Sequence, residues 1–384
     1  MNSRERVLLA LNHREPDRVP FDMGGTVVTG INVKPYQGLR RSLGLPEREP
    51  VIIDILQQIA RVDDDMLNRL GVDVKNIAPR SSATFNVEVK DGGDYTYFHD
   101  EFKIGWRMPK DGGLYYDMFE HPLAGPITLD AVDAFPWPNP LDPGRFVGLK
   151  DAAEQVMNVD KRAVVVGNMS AGIIELFAWT RGFKDYFMDF AGNPKLAEKI
   201  MDRVLEMQIA YWDKMFSVIG DRIDVAATAD DFAGQNDLLI SPRAYRKLCK
   251  PRHKALFDFI HSHSKAKIFF HSCGAIRPVI PDLIEIGCDI LNPVQVSAAG
   301  MDSAELKREF GRDITFWGGG VDTQRVLGSG TPQQVREEVK RRVGDLMPGG
   351  GFIFNTVHNI QPNVPVENIV AMWESLQECG RYSA

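Results

Sequence analysis

Two side chains of types that can bind metal, His271 and Cys273, lie two residues apart at the end of a short apolar segment. The preceding residues, 267–270, predict a strand that is buried on both faces. Because alternate residues of an extended segment point the same way, the imidazole and the thiolate can converge on one ion. Zinc takes both kinds of ligand, and Gly274 then allows a tight turn into the next helix. The pattern therefore indicates a candidate zinc site.

A third zinc ligand must come from elsewhere in the chain, because a catalytic zinc ion takes three protein ligands and keeps one position open. His358 is the first choice, since it ends the last predicted strand. Glu175 and Asp231 are weaker choices. A purely structural interpretation is the alternative: Cys273 is then a small core residue, and His271 caps the end of its strand.

The composition is that of a globular protein with a large core. The 384 residues are 44% hydrophobic and 25% charged, and the formal net charge is -7. Since no basic run stands out, we expect no nucleic-acid partner. No apolar stretch is long enough to span a bilayer. The four cysteines include no CxxC pair and do not make a disulfide framework. We therefore expect a cytoplasmic protein that contacts no membrane.

Strand and helix signals alternate along most of the chain, as parallel strands with helical crossovers require. The predicted strands begin at Val19, Val72, Ala163, Ile223, Lys267, Asp289, Ile314 and Phe352. Eight such units predict an α/β fold, a (β/α)8 TIM barrel, as a single domain over residues 1–384. An open doubly wound sheet is the alternative. The three glycines at 318–320, however, lack the GxGxxG spacing of a nucleotide-binding turn.

Two segments before the third predicted strand have a different character. Residues 84–121 contain alternating strand signals, with Asp-Gly-Gly at 91–93 and again at 111–113. Such turns are typical of hairpins, so we predict an inserted antiparallel β excursion within the barrel. Residues 54–70 carry helical periodicity and predict a helix that ends at Gly71.

Polar side chains stand where the predicted barrel strands end, and in a barrel the chemistry lies at the C-terminal ends of the strands. The ends include Asp22, Asn168, Asp230, Asp231, His271, Cys273, Asn292, Gln295, Asp322 and His358. Asn292, Gln295 and Asp322 are candidates for binding a cofactor. Asp22 and Asp231 are candidate catalytic groups, and Asp231 has three open roles: base, metal ligand or helix N-cap.

Glu175 is an acidic residue inside an apolar run, residues 171–177. A buried charge needs a partner. Either a salt bridge with Arg181 or a role in the barrel mouth would explain the carboxyl, and both explanations stay open. We count Glu175 among the candidate catalytic residues.

Motifs spread over most of the chain resemble those of the uroporphyrinogen decarboxylase superfamily. They are residues 3–11 with 16–20, residues 271–274 (His-Ser-Cys-Gly), residues 287–292, residues 317–322 and the closing residues 350–358. The resemblance runs from about Ser3 to Leu376 and implies a (β/α)8 barrel. The predicted insert at 84–121 is its least familiar part.

That superfamily has members of two kinds. True decarboxylases work without metal and hold the carboxylates of a porphyrinogen with an N-terminal motif of the form RQAGRY. Here the matching region, residues 21–26, reads Phe-Asp-Met-Gly-Gly-Thr. The second kind are zinc methyltransferases that act with corrinoid proteins, and their signature is His-x-Cys-Gly with a distant third ligand, usually cysteine. His271 and Cys273 match the signature, and His358 stands near the place of the distant cysteine.

The resemblance thus implies a zinc-dependent methyltransferase. It would move a methyl group between a small O- or N-methyl compound, or a thiol, and a corrinoid (cobalamin) carried by a partner protein. Zn²⁺ would be held by His271, Cys273 and His358. The alternative is a metal-free decarboxylase acting on a carboxylated substrate, with Asp22 or Asp231 as the acid–base group. A third interpretation is a binding barrel without catalysis.

Overall fold

The computed structural model describes residues 1–382, and its centre is a sheet of seven parallel strands. Neighbours in the sheet follow chain order: Val74–Asn76, Ala163–Val166, Val225–Ala229, Lys267–His271, Ile290–Asn292, Thr315–Trp317 and Phe352–Ile353. The strands are apolar and rich in β-branched residues, which suit a sheet covered on both faces. All four residues of Ala163–Val166, for example, are completely buried.

Residues 20–22, which come first in chain order, supply the eighth member of the barrel. They join the two edges of this sheet. On one side, the Phe354 N–H donates to the Pro20 carbonyl at 2.8 Å, and the Asp22 N–H donates to the Phe354 carbonyl at 2.9 Å. On the other side, the Asp73 N–H donates to the Phe21 carbonyl at 2.8 Å. Counting residues 20–22 as the first strand, the chain forms an eight-membered barrel. The predicted barrel is confirmed, and the open doubly wound sheet is wrong.

Helices surround the barrel, and most lie where the strand–helix alternation predicts them. The α-helices are Ser3–Leu11, Val33–Ser42, Asp64–Leu70, Leu129–Ala134, Leu149–Gln155, Ile173–Arg181, Phe183–Gly192, Pro194–Ile219, Pro242–Ala244, Lys250–His263, Ile280–Glu285, Ser303–Phe310, Pro332–Leu346 and Val366–Cys379. Short 3-10 turns are Val27–Thr29, Pro143–Phe146 and Arg277–Val279, and π-helical turns are Val156–Asp160, Tyr245–Cys249 and Thr323–Leu327. Across residues 1–382, none of these helices combines the length and the apolar character needed to cross a membrane.

The inserted antiparallel excursion is also confirmed. Its four strands are Lys90–Asp91, Tyr95–His99, Gly105–Pro109 and Asp117–Glu120, paired in that order. The insert is anchored to the rest of the molecule. The Trp106 ring packs edge-on against Trp179 with ring centroids 5.2 Å apart, and the Tyr116 N–H donates to the Leu56 carbonyl at 2.8 Å.

The helix predicted over residues 54–70 is wrong in its first half. Only Asp64–Leu70 is helical; Ile52–Asp54 and Ile59–Ala60 are short strands that pair in a small antiparallel sheet. The Asp54 side chain accepts a hydrogen bond from the Gln57 N–H at 2.7 Å, and such a bond builds a turn in place of a helical repeat. The turn brings Gln57 to the barrel mouth, where it lines a cavity described below.

Candidate metal centre

Three potential metal ligands meet at the mouth of the barrel. His271 ends the fifth barrel strand, Cys273 follows it by two residues, and His358 lies in the loop after the eighth strand. One ligand atom from each lies within 4.8 Å of the other two. Parallel strands of a barrel present their C-terminal ends to the same mouth, so residues far apart in sequence are brought together there.

The orientation of the His271 ring is fixed by Asn292, which ends the sixth barrel strand. The Asn292 amide nitrogen donates to the Trp317 carbonyl at 2.7 Å, so its oxygen must face His271. That oxygen lies 2.6 Å from His271 Nδ1 and accepts the proton there. Nε2 is therefore left with a free lone pair that faces Cys273. Such a partner on the second ring nitrogen is usual for histidines that bind metals.

The position of Cys273 is fixed by a hydrogen bond that its backbone N–H donates. Its N–H donates to Asp231 Oδ1 at 2.6 Å, and its Sγ lies 3.5 Å from His271 Nε2. The next residue, Gly274, has a φ of +92°, and a Cβ atom there would lie 2.6 Å from the Gly234 carbonyl oxygen. Glycine is therefore required for this turn. Burial and the nearby carboxyl groups, Asp231 first, raise the pKa of the Cys273 thiol well above its usual value.

The third residue, His358, faces His271 with ring centroids 5.4 Å apart. Burial, and then the neighbouring His271, lower the pKa of His358 to about 4. The ring is therefore neutral at physiological pH and has a lone pair to offer. Ligands of a tetrahedral zinc ion, bound at about 2.0–2.3 Å, stand roughly 3.3–3.8 Å apart. The Cys273–His271 pair has this spacing, and His358 lies within reach of it.

Glu175 does not form the salt bridge with Arg181 that was one of its two explanations. The Arg181 guanidinium instead donates to Asp189 at 2.8 Å. The Glu175 backbone N–H donates to Asp230 Oδ1 at 2.7 Å, and Asp230 Oδ2 lies 2.6 Å from Nε2 of the buried His253. Burial, and then the charges of Asp231 and Asp230, raise the pKa of Glu175 well above its usual value. Its carboxyl therefore binds a proton more tightly than an ordinary carboxyl does.

Asp231 and Asp22 lie in different surroundings. Asp231 is beside the three ligands, with Oδ1 3.9 Å from His271 Nε2. Asp22 is completely buried away from them, where it accepts hydrogen bonds from Trp317 Nε1 at 2.8 Å and the Gly25 N–H at 2.7 Å. Burial raises the pKa of Asp22 to about 6.

The three residues predicted to bind a cofactor make protein contacts of their own. Asn292 bonds to His271, as described above. Gln295 Oε1 accepts from the Gly274 N–H at 2.7 Å, next to the metal centre. Asp322 accepts from the Gln324 N–H at 2.8 Å and caps the π-helical turn Thr323–Leu327. Their role toward a cofactor stays a prediction.

A cavity of about 600 Å³ opens directly over the candidate metal centre, and Cys273 and His358 form part of its wall. Most of the remaining polar wall was missed by reasoning from the sequence. It includes glutamines from four separate loops and Tyr115 from the antiparallel insert. His253, the buried partner of Asp230, was missed as well. No short motif marks these residues, because they come together only through the fold.

The fold and the site together define a (β/α)8-barrel protein with a candidate His–Cys–His metal centre at its mouth. The family model described as "Uroporphyrinogen decarboxylase (URO-D)" matches residues 118–379. The chain belongs to this family.

Curated relatives are similar at low identity, and all those below are named uroporphyrinogen decarboxylase. Identity is 22% over 196 residues with the protein of Mannheimia succiniciproducens, covering 49% of this chain and 50% of that relative. It is 25% over 232 residues with the protein of Chlorobium phaeobacteroides, covering 57% and 61%, and 22% over 280 residues with that of Pseudomonas fluorescens, covering 69% and 73%. The chain thus spans about half the length of the Mannheimia relative.

A solved structure is similar over nearly the whole chain. It is a methyltransferase from Methanosarcina mazei, with a TM-score of 0.65 and 18% sequence identity, and the match covers 98% of this chain and 99% of that one. At this identity the likeness establishes the fold alone.

Proposed function

We propose that this chain is a zinc-dependent methyltransferase that moves a methyl group between a small methylated compound and a corrinoid carried by a partner protein. The observation that carries the proposal is the convergence of His271, Cys273 and His358 beneath an open cavity, with Asn292 fixing the ligand tautomer of His271. Three ligands of this kind with one side open form a donor set for catalytic zinc.

In this arrangement a zinc ion would act as a Lewis acid on the atom that loses the methyl group. A Co(I) corrinoid on the partner protein would supply the electron pair that accepts the methyl group, and the pair of the methyl–oxygen bond would stay on the oxygen. The departing oxygen then needs a proton. Glu175 is our candidate to donate that proton, because burial and the nearby Asp231 and Asp230 raise its pKa well above the usual value. The Asp231 carboxylate accepts a hydrogen bond from the Cys273 N–H and so helps to position Cys273.

Metal analysis of freshly purified protein tests the proposal first. We expect about one zinc per chain, lost in His271→Ala, Cys273→Ser and His358→Ala. Matched controls are His263→Ala and Cys379→Ser, which change the same residue types away from the cavity and should retain zinc. Methyl transfer to Co(I) cobalamin should disappear in the first three variants only. Zinc-free protein with chelator-insensitive turnover would overturn the proposal.

Decarboxylation is the second candidate, and the name shared by the curated relatives favours it. Asp22 or Asp231 would then be the acid–base group. Release of carbon dioxide from a carboxylated substrate, unaffected by chelator and lost in Asp231→Asn, would support this function over methyl transfer.

A further inference from the structure

The cavity over the candidate metal centre has an unusual wall, and we call it the glutamine cavity. Five glutamines line it: Gln57, Gln235, Gln295, Gln324 and Gln361. Among the residues that the structure describes, no lysine, arginine, aspartate or glutamate lines it. Apart from the metal centre itself, the polar side chains that a ligand meets are therefore uncharged: the five amides and the hydroxyls of Tyr115 and Thr323.

One side of the glutamine cavity offers an unused donor and an unused acceptor. Gln57 Oε1 accepts from Asn359 Nδ2 at 2.7 Å, and the Gln361 amide nitrogen donates to Asn359 Oδ1. Asn359 thus fixes how both glutamine amides are oriented. Within residues 1–382, the Gln57 amide nitrogen and the Gln361 amide oxygen have no hydrogen-bond partner of their own, so they are free for a ligand.

The opposite side is already satisfied and serves as a rigid support. Gln295 Nε2 donates to Gln235 Oε1 at 2.8 Å, and Gln235 Nε2 donates to the Ser297 carbonyl at 2.7 Å. Gln295 Oε1 accepts from the Gly274 N–H, so this chain of amides ends next to Cys273. The antiparallel insert completes the wall with Tyr115, whose side chain is 45% exposed. An aromatic face at this position suits a flat apolar group.

Apart from the metal ion, the cavity offers a charged ligand no counter-charge in exchange for its water, and burying an unpaired charge is costly. The carboxyl of Asp231, beside the metal ligands, makes an anion still less favourable. A methylamine is protonated at neutral pH, so its nitrogen has no lone pair for a Lewis acid. An ether oxygen has lone pairs without losing a proton.

We infer that the glutamine cavity selects an uncharged methyl ether that also carries a hydroxyl group, with Gln57 Nε2 donating to an oxygen of the ligand, Gln361 Oε1 accepting from the hydroxyl, and Tyr115 packing on its apolar body. This inference rests on the proposed methyl transfer, whose substrate class it narrows. It disfavours ligands that carry several anionic groups, because beyond the metal ion no lysine or arginine lines the described part of the cavity wall.

A matched series of three probes tests the charge preference: ortho-methoxybenzyl alcohol, ortho-methoxybenzoate and ortho-methoxybenzylammonium. They share one ring and one methyl ether and differ in charge. Calorimetry on the zinc-loaded full chain should show the alcohol binding at least about tenfold tighter than either ion. Equal or tighter binding of the benzoate or the ammonium, or no binding of the alcohol, would overturn the inference.

Variants then assign the preference to the cavity wall. Gln57→Lys adds a cation and should increase the affinity for the benzoate by about tenfold while lowering the affinity for the alcohol. Gln333→Lys makes the same change on the exposed start of the helix Pro332–Leu346 and should change neither affinity. Tyr115→Ala should weaken the alcohol while zinc content stays constant. An unchanged benzoate affinity in Gln57→Lys would contradict the assignment.

Failure of this inference can be told apart from failure of the proposed function. If zinc is present and methyl transfer occurs, but the benzoate is the preferred donor, only the charge preference is wrong. If the protein holds no zinc and transfers no methyl group from any of the three probes, the proposed function is wrong, whatever the order of the affinities.

Discussion

Carboxyl groups are held in different ways at the two ends of the barrel. At the floor, opposite the mouth, an aspartate directly precedes three of the strands, and each pairs with at least one lysine or arginine: Asp73 with Arg6 and Arg18, Asp224 with Arg4, and Asp289 with Lys267. At the mouth, within the described part of the chain, no lysine or arginine pairs with Asp22, Glu175 or Asp231.

The presence or absence of a cationic partner is reflected in the pKa values of Asp289, Glu175 and Asp22. Burial acts to raise the pKa of Asp289, but hydrogen bonds from His261 and Lys267 outweigh it, and the pKa is lowered. At the mouth burial is not offset, so the pKa of Glu175 rises well above its usual value and that of Asp22 rises to about 6. The floor therefore holds fixed charges that support the fold. The mouth keeps carboxyl groups that can hold protons, as expected of a functional site.

Removing a floor carboxylate should have the largest effect on stability. Asp73 is completely buried between Arg6 and Arg18, with nitrogen–oxygen distances of 2.7 Å to each. Asp73→Asn leaves the buried Arg6 without full charge compensation, and we expect the free energy of unfolding to fall by about 3–5 kcal/mol. Urea denaturation measures this loss.

The control for Asp73 is an exposed ion pair. Asp91 pairs with Lys110 at 2.7 Å at the surface of the insert, and Asp91→Asn should leave the denaturation midpoint unchanged. Zinc content should be equal in both folded variants, since the floor does not touch the metal centre. A loss in Asp73→Asn no larger than in the control would show that the floor pairs do not stabilise the barrel.

The second effect concerns the unpaired Asp22 and depends on pH. Its pKa is about 6 in the folded protein and 3.8 in an ordinary carboxyl, so the folded state binds this proton more tightly. Between pH values of about 4 and 6, the contribution of Asp22 to the free energy of unfolding should therefore fall as pH rises, by about 3 kcal/mol in total. Asp22→Asn removes this contribution.

Denaturation of the native protein and of Asp22→Asn across this pH range provides the measurement. All other groups titrate alike in the two proteins, so the difference between their curves isolates Asp22. The variant should gain stability relative to the native protein as pH rises through 6. Parallel pH profiles would mean that Asp22 is ionised throughout, and the contrast between mouth and floor would then not extend to it.

How much of the fold and of the site could be predicted depends on how close in sequence the residues that form each feature lie. The barrel was predictable because apolar strands and amphipathic helices alternate locally, as at residues 163–219. His271 and Cys273 were recognisable because they lie two residues apart, at and just after the end of one strand. The amide wall was not, since Gln57 and Gln361 are 304 positions apart (361 minus 57) and meet only through Asn359. The turn that places Gln57 depends on one side-chain bond, which helical periodicity concealed.

The smallest of the three effects tests whether the mouth works through neutral hydrogen bonds. Asn292→Ala leaves the Nδ1–H of His271 without an acceptor, so the ring can change tautomer and place its proton on the ligand nitrogen, Nε2. We expect zinc affinity to fall about 10- to 100-fold, which corresponds to roughly 1.4–2.7 kcal/mol. Competition with a chelator of known affinity measures it, and Asn363→Ala, an exposed position, is the control.

A conservative variant separates this tautomer effect from simple damage to the core. Asn292→Asp loses the bond to the Trp317 carbonyl but keeps an acceptor facing His271 Nδ1. If that acceptor is what prepares Nε2 for the metal, Asn292→Asp should recover most of the zinc affinity that Asn292→Ala loses, although both disturb the sixth strand. Equal losses in the two variants would mean that Asn292 acts by packing, and the mouth would then differ from the floor in charge alone.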